Sequence, residues 1–63
     1  MFKIGDKVTY RKKMENEKGI IKSIPDDDHA FVVYHCAGKW DRYREYTAAR
    51  TRLEDLTPGW DDE

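Results

Sequence analysis

The chain has 63 residues, 40% of them charged, with 12 Lys/Arg against 13 Asp/Glu and a net charge of −1. That length leaves room for one domain, residues 1–63, whose core is small enough to make stability marginal. Cys36 is the single cysteine, so no internal disulfide can form, and one Cys with two His falls short of a four-ligand zinc set.

Support for so small a core must come from the aromatics: Phe2, Tyr10, Phe31, Tyr34, Trp40, Tyr43, Tyr46 and Trp60. The first residues, Met1-Phe2-Lys3-Ile4-Gly5-Asp6, lack the apolar stretch of a signal peptide. No run approaches the ~20 apolar residues of a membrane span. A lone thiol also suits a reducing compartment. The expectation is a soluble, cytoplasmic domain.

In chain order, Gly5-Asp6 marks a turn, and Lys7-Val8-Thr9-Tyr10 alternates as a half-buried strand. Residues 11–18 read as a charged connection at the tip of a long hairpin arm, with Met14 its one apolar member. Gly19-Ile20-Ile21-Lys22-Ser23-Ile24 is a second strand whose isoleucines break the period of two. Strong bending or a bulge would let them share one core, and Gly19 suits such a kink. Pro25-Asp26-Asp27-Asp28 is a turn in which the aspartates favour Asx geometry. Three consecutive carboxylates cannot all face one ion, and the spacing of a calcium loop is absent, so it reads as a solvated turn.

Residues His29 to Cys36 form the clearest strand, β-branched and aromatic, apolar on both faces over its centre. Ala37-Gly38 ends it. Residues 39–56 admit two readings. One is a helix over 41–56, N-capped by Asp41, with a stripe of Tyr43, Tyr46, Ala49, Leu53 and Leu56. The other is a helical turn at 41–45, a strand near 46–52 and a 3-10 turn at Leu53-Glu54-Asp55-Leu56. Arg42 and Arg44 in a first turn and Glu54-Asp55 in a last turn oppose a helix dipole, which favours the second reading. Pro58-Gly59 turns the chain, Trp60 caps the barrel end, and Asp61-Asp62-Glu63 is a frayed acidic tail.

Charge is segregated along the chain, at +4 over residues 1–24, −3 over 25–36, +3 over 37–52 and −5 over 53–63. In a small fold such blocks can become patches, although a surface this charged shows blocks by chance as well.

The pattern Ile4-Gly5-Asp6-Lys7-Val8, Lys18-Gly19-Ile20-Ile21, Ile24 and Phe31-Val32-Val33-Tyr34 resembles SH3-like barrels of the KOW and Tudor type. The resemblance spans residues 4–34. It implies a mainly β fold: a single SH3-like barrel of about five short, strongly bent antiparallel strands, with a helical or 3-10 turn in the second half. The alternative is a three-stranded sheet with one C-terminal helix at 41–56. A KOW likeness implies RNA or protein binding, and a Tudor likeness implies aromatic capture of a methylated cation. The second half, with His35-Cys36, Trp40, Tyr46-Thr47-Ala48, Asp55-Leu56 and Gly59-Trp60, looks like small uncharacterised proteins of prophages and mobile elements. That second likeness implies a setting and no activity.

Catalysis is not expected. Neighbouring side chains on a strand point to opposite faces, so His35 cannot activate Cys36, and a buried, inert thiol follows. Gly5, Gly19, Gly38 and Gly59 are isolated and make no phosphate loop. No cofactor, metal or small-molecule substrate is expected. The constellation that stands out is Lys39-Trp40-Asp41-Arg42-Tyr43-Arg44-Glu45-Tyr46, with Arg50 and Arg52 extending it and Arg11-Lys12-Lys13 as a second basic loop. Cations interleaved with rings suit single-stranded nucleic acid, phosphates to the cations and bases to the π-faces. The bland reading places Trp40, Tyr43 and Tyr46 in the core with arginines at its edge. Three binding functions follow: a nucleic-acid module, a protein-interaction or inhibitor module of a mobile element, and an aromatic cage drawn from Tyr34, Trp40, Tyr43 and Tyr46.

Overall fold

The computed structural model describes residues 2–12, 15–34, 36 and 38–60. Lys13, Met14, His35 and the Asp61–Glu63 tail, each of which carried an expectation, lie outside the described residues.

Five antiparallel strands form one sheet: β1 (Lys7–Lys12), β2 (Glu15–Ser23), β3 (His29–Val33), β4 (Ala49–Arg52) and β5 (Leu56–Pro58). Their order across the sheet is β4-β3-β2-β1-β5. Two 3-10 segments, η1 (Trp40–Glu45) and η2 (Leu53–Asp55), flank β4. The mainly β expectation holds, with five short antiparallel strands and 3-10 turns in the second half. Among the described residues no helix is long and apolar enough to cross a membrane.

The alternative helix over 41–56 is overturned. Arg42 departs from helical geometry inside η1 (φ −114°, ψ 26°), and Tyr46 is already extended (φ −109°, ψ 157°). Residues Ala49 to Arg52 then gain a full ladder with β3, pairing His29 with Arg52 and Val32 with Ala49. That ladder buries Thr51 and replaces a helix whose end charges oppose its dipole.

Three boundaries also shift. The charged connection is shorter than 11–18, because Asn16, Glu17 and Lys18 pair with Arg11, Tyr10 and Thr9. Backbone hydrogen bonds make that ladder, and they do not require apolar side chains. β3 ends at Val33 rather than at Cys36. The fifth strand falls at Leu56–Pro58, where Pro58 is tolerated because β5 is an edge.

The isoleucines divide. Ile21 and Val8 are fully buried in a cluster with Ala30, Val32 and Leu56, and Ile24 packs against it. A bulge between Ile21 and Ser23 makes this possible by leaving Lys22 without a partner in the ladder. Ile20 is paired with Val33 and both are buried, but alternation puts them on the other face, where η1 packs against β2. Cys36 is also buried. Full burial of one such aliphatic side chain contributes about 1.5–3 kcal/mol, so two small apolar layers share the work of one.

Gly19 is not the kink. It is a place of close approach: a Cβ there would clash with Val32 Cγ1 and lie 3.1 Å from the Tyr34 ring. The missing side chain lets β3 lay Val32 and Tyr34 directly across β2.

Candidate nucleic-acid interface

Alternation on β1 and β2 decides which charges share a face. Lys7 pairs with Ile20, Thr9 with Lys18 and Arg11 with Asn16, so these six side chains project to one side. Thr9 and Ile20 are buried there, while Lys7, Arg11, Asn16 and Lys18 are exposed.

Trp60 is brought onto this face by the turn after β5. The Gly59 N–H donates to the Lys7 carbonyl at 2.8 Å, and the Thr9 hydroxyl donates to the Gly59 carbonyl at 2.6 Å. Gly59 has φ +80°, a left-handed conformation that glycine adopts without strain. The Trp60 Nε1–H then donates to the Gly19 carbonyl at 3.0 Å, fixing the indole over the β1–β2 ladder. Trp40, at the start of η1, tilts onto it with ring centroids 5.0 Å apart and planes at 57°. The Lys7 and Lys18 ammonium groups stand 4.8 Å and 5.3 Å from the Trp60 ring centroid. Cation–π contacts of this kind contribute about 0.5–1 kcal/mol each at exposed sites. Both indoles are half-buried, so the pair is held by the fold and still reaches solvent.

The other expected residues distribute as follows. Lys39 is exposed beside Trp40, its N–H donating to the Cys36 carbonyl at 2.8 Å. Arg42 is exposed and forks onto Glu45, at 3.1 Å and 3.2 Å. Tyr43 is half-buried, with its hydroxyl against Gly5 and the exposed Arg44 guanidinium 5.8 Å from its ring centroid. Tyr46 is half-buried, and its carbonyl accepts a 2.7 Å bond from Lys22 Nζ, the bulge residue. Arg11 donates through Nε to the Thr57 hydroxyl at 3.1 Å. Lys12 belongs to β1, and Lys13 lies outside the described residues.

Arg50 and Arg52 stand apart from the tryptophans. They lie on β4, which β3 and β2 separate from β1 in the sheet order. Arg50 approaches Asp26 Oδ2 at 3.7 Å, and Arg52 approaches Glu54 Oε2 at 3.8 Å. Asp26 is the centre of the acidic turn. Its Oδ1 accepts the Asp28 N–H at 2.8 Å in an Asx turn and meets His29 Nδ1 at 3.0 Å. The Asp28 N–H, then His29, hold its pKa below the usual carboxylate value.

The four rings considered for a cage separate. Tyr34 meets Tyr10 edge-to-face at 5.9 Å, Trp40 meets Trp60, and Tyr43 lies against Gly5. Of the four, Tyr34 and Tyr46 line a common hollow.

Lys7, Lys18 and Trp60 were missing from the sequence-derived set. Their signal was present: Lys7 and Lys18 have opposite parity to Val8 and Ile21. The pairing that joins them to Trp60, more than 40 positions away, carries no local signature. The chain matches no protein-family model, no curated protein and no solved structure with which it was compared.

Proposed function

We propose that this domain is a non-catalytic module that binds single-stranded nucleic acid across the Trp40–Trp60 face. The observation that carries the reading is the fixed indole pair with the Lys7 and Lys18 ammonium groups at its rim. A base stacks on a π-face, worth about 1–3 kcal/mol per base, while phosphates meet Lys7, Lys18, Arg11 and Lys39. Lys7, Arg11 and Lys18 are exposed on the same side of the β1–β2 ladder, and Lys39 is exposed next to Trp40 in the chain. The likeness of residues 4–34 to KOW-type barrels supports the same direction.

Trp40 and Trp60 are the two tryptophans of the chain, so intrinsic indole fluorescence reports this face alone. Titration with a ten-nucleotide oligothymidylate or oligouridylate should quench it at 50 mM salt. If three or four cations meet phosphates, the log–log salt slope is about −2 to −3. Absence of quenching at low salt, or quenching indifferent to salt, overturns the reading. So does full affinity in a Lys7→Gln/Lys18→Gln double variant.

A further inference from the structure

The opposite face of the same ribbon opens onto a groove. Tyr10 and Glu17 are ladder partners and project to the side away from Lys7 and Lys18. Tyr34, just beyond β3, packs edge-to-face on Tyr10. The Tyr34 hydroxyl lies 2.7 Å from Thr51 Oγ1, and Thr51 donates onward to the Ala49 carbonyl at 3.3 Å. Either hydroxyl can donate in the Tyr34–Thr51 pair. The phenol is locked, and its ring becomes a fixed wall.

Tyr10, Glu17, Tyr34, Thr51 and Asp55 border an open hollow of about 330 Å³. A second hollow of about 390 Å³, bordered by Val32, Tyr34, Tyr46, Ala48 and Ala49, adjoins it through Tyr34 and Ala49. Both run along β4, an edge of the sheet. One end is therefore mostly apolar, with Thr47 its polar member besides the tyrosines, and the other sets two phenol rings and two carboxylates beside the backbone of β4. Burial raises the Tyr34 pKa, and Glu17 and Asp55 add to the rise, consistent with both carboxylates acting on that phenol.

We propose that this groove binds an extended peptide, added alongside β4, that sets a lysine or arginine side chain among Tyr10, Tyr34, Glu17 and Asp55. An edge strand offers backbone groups to a further strand. Side chains of an added strand facing one way repeat about every 6.6 Å, so a small apolar side chain reaches the Tyr46 hollow beside the cation. The cation is favoured twice, by ring faces and by opposite charge. Arg50 and Arg52 also border the first hollow, but alternation turns their side chains away from Thr51. Their guanidinium groups are drawn toward Asp26 and Glu54.

The test uses the ¹⁵N-labelled full chain and a blocked octapeptide of alternating valine and threonine with one central arginine. A second peptide carries glutamate at that position. The arginine peptide should shift the amides of Tyr10, Glu17 and Ala49–Arg52 and leave the Trp60 indole N–H in place. The glutamate peptide should bind at least about tenfold more weakly. Glu17→Gln and Asp55→Asn should each weaken the arginine peptide about threefold, with oligonucleotide quenching unchanged. Equal binding of the two peptides overturns the proposal, as do shifts confined to the tryptophan face or no shifts at all. Shifts at β4 on raising the protein concentration alone would make a second copy the occupant, and also overturn it. The peptide exchange leaves the protein untouched, so the proposal stays testable even if a variant fails to fold.

Discussion

The two faces of the β1–β2 ribbon come from alternate residues of the same two strands, yet their chemistry is opposed. On one face Lys7, Arg11 and Lys18 stand exposed around Thr9 and the Trp60 indole. On the other, Val8 and Ile21 are fully buried, and Tyr10 and Glu17 border the groove. The excess of basic residues over positions 1–24 is therefore not one patch spread over a hairpin. Strand parity sorts these three cations to one side and Glu17 to the other. In a chain near neutrality this is how two surfaces of different chemistry can sit a single strand thickness apart. The total charge forecasts neither of them.

Gly19 is where the two faces meet. Its carbonyl holds Trp60 on one side, and its missing side chain admits Val32 and Tyr34 on the other. Gly19→Ala should therefore give the largest effect, a loss of about 2–3 kcal/mol of stability as Val32 and Tyr34 are pushed out. Urea unfolding measures it, and a loss under about 0.5 kcal/mol would show that the faces are not joined there.

Trp60→Ala should separate the faces. Oligonucleotide affinity falls tenfold or more, about the value of one stacked base, while the β4 amides keep their response to the arginine peptide. The remaining indole, Trp40, or fluorescence anisotropy of a labelled oligonucleotide supplies the readout. Parallel loss of both ligands would mean that the ribbon acts as one site.

Single charge removals are smaller. Lys7→Gln and Lys18→Gln should each reduce oligonucleotide affinity about two- to fivefold and flatten the salt slope by about 0.7. Arg50→Gln and Arg52→Gln, on the far strand, should change it little. A larger effect of the β4 arginines than of Lys7 and Lys18 would move the interface to the other edge of the sheet.

The smallest effects are in pH. The Tyr34 pKa is raised above 10.0 in the fold, chiefly by burial. The unfolded phenol thus ionises first, and the stability tied to Tyr34 is fully present below pH 10. It is lost as pH rises through the folded value. Tyr34→Phe should blunt the alkaline decline seen in thermal melts. Asp26 has the opposite sign: its pKa lies below 3.8, so its contribution is present above that value and fades as pH falls through the folded one. Asp26→Asn should flatten the acid limb slightly, because the carboxylate is exposed.

Much of this arrangement is legible in local pattern. The alternation of Val8 and Tyr10, the β-branched run after His29 and the opposed end charges of residues 41–56 each point to the element that forms. Polar Asn16, Glu17 and Lys18 are harder to read, because a strand in a two-faced ribbon needs no apolar side chain at every second position. Leu56-Thr57-Pro58 is harder still, since proline argues against a strand except at an edge, and edges are set by the whole sheet. The candidate interface shows the same limit. Trp40 and the cations near it form a visible cluster in sequence, but Arg42 is taken up by Glu45 and Arg50 is drawn to Asp26. The ring that Trp40 meets is Trp60, 20 positions on, and the cations over Trp60 come from β1 and β2.

What the amino-acid order determined by itself is what short-range physics controls: a mainly β chain, turns at Gly5-Asp6, Pro25–Asp28 and Pro58-Gly59, and the parity that sets Lys7 opposite Val8. Those follow from dihedral preference and a period of two, which act over a few residues. Only the tertiary structure decided that Trp60 meets Trp40 and Lys18, and that Tyr34 meets Tyr10. Those meetings depend on sheet order and on the bulge after Ile21, which couple positions 20 to 50 residues apart. No local preference encodes such a distance, and both candidate surfaces of the domain are made of those meetings.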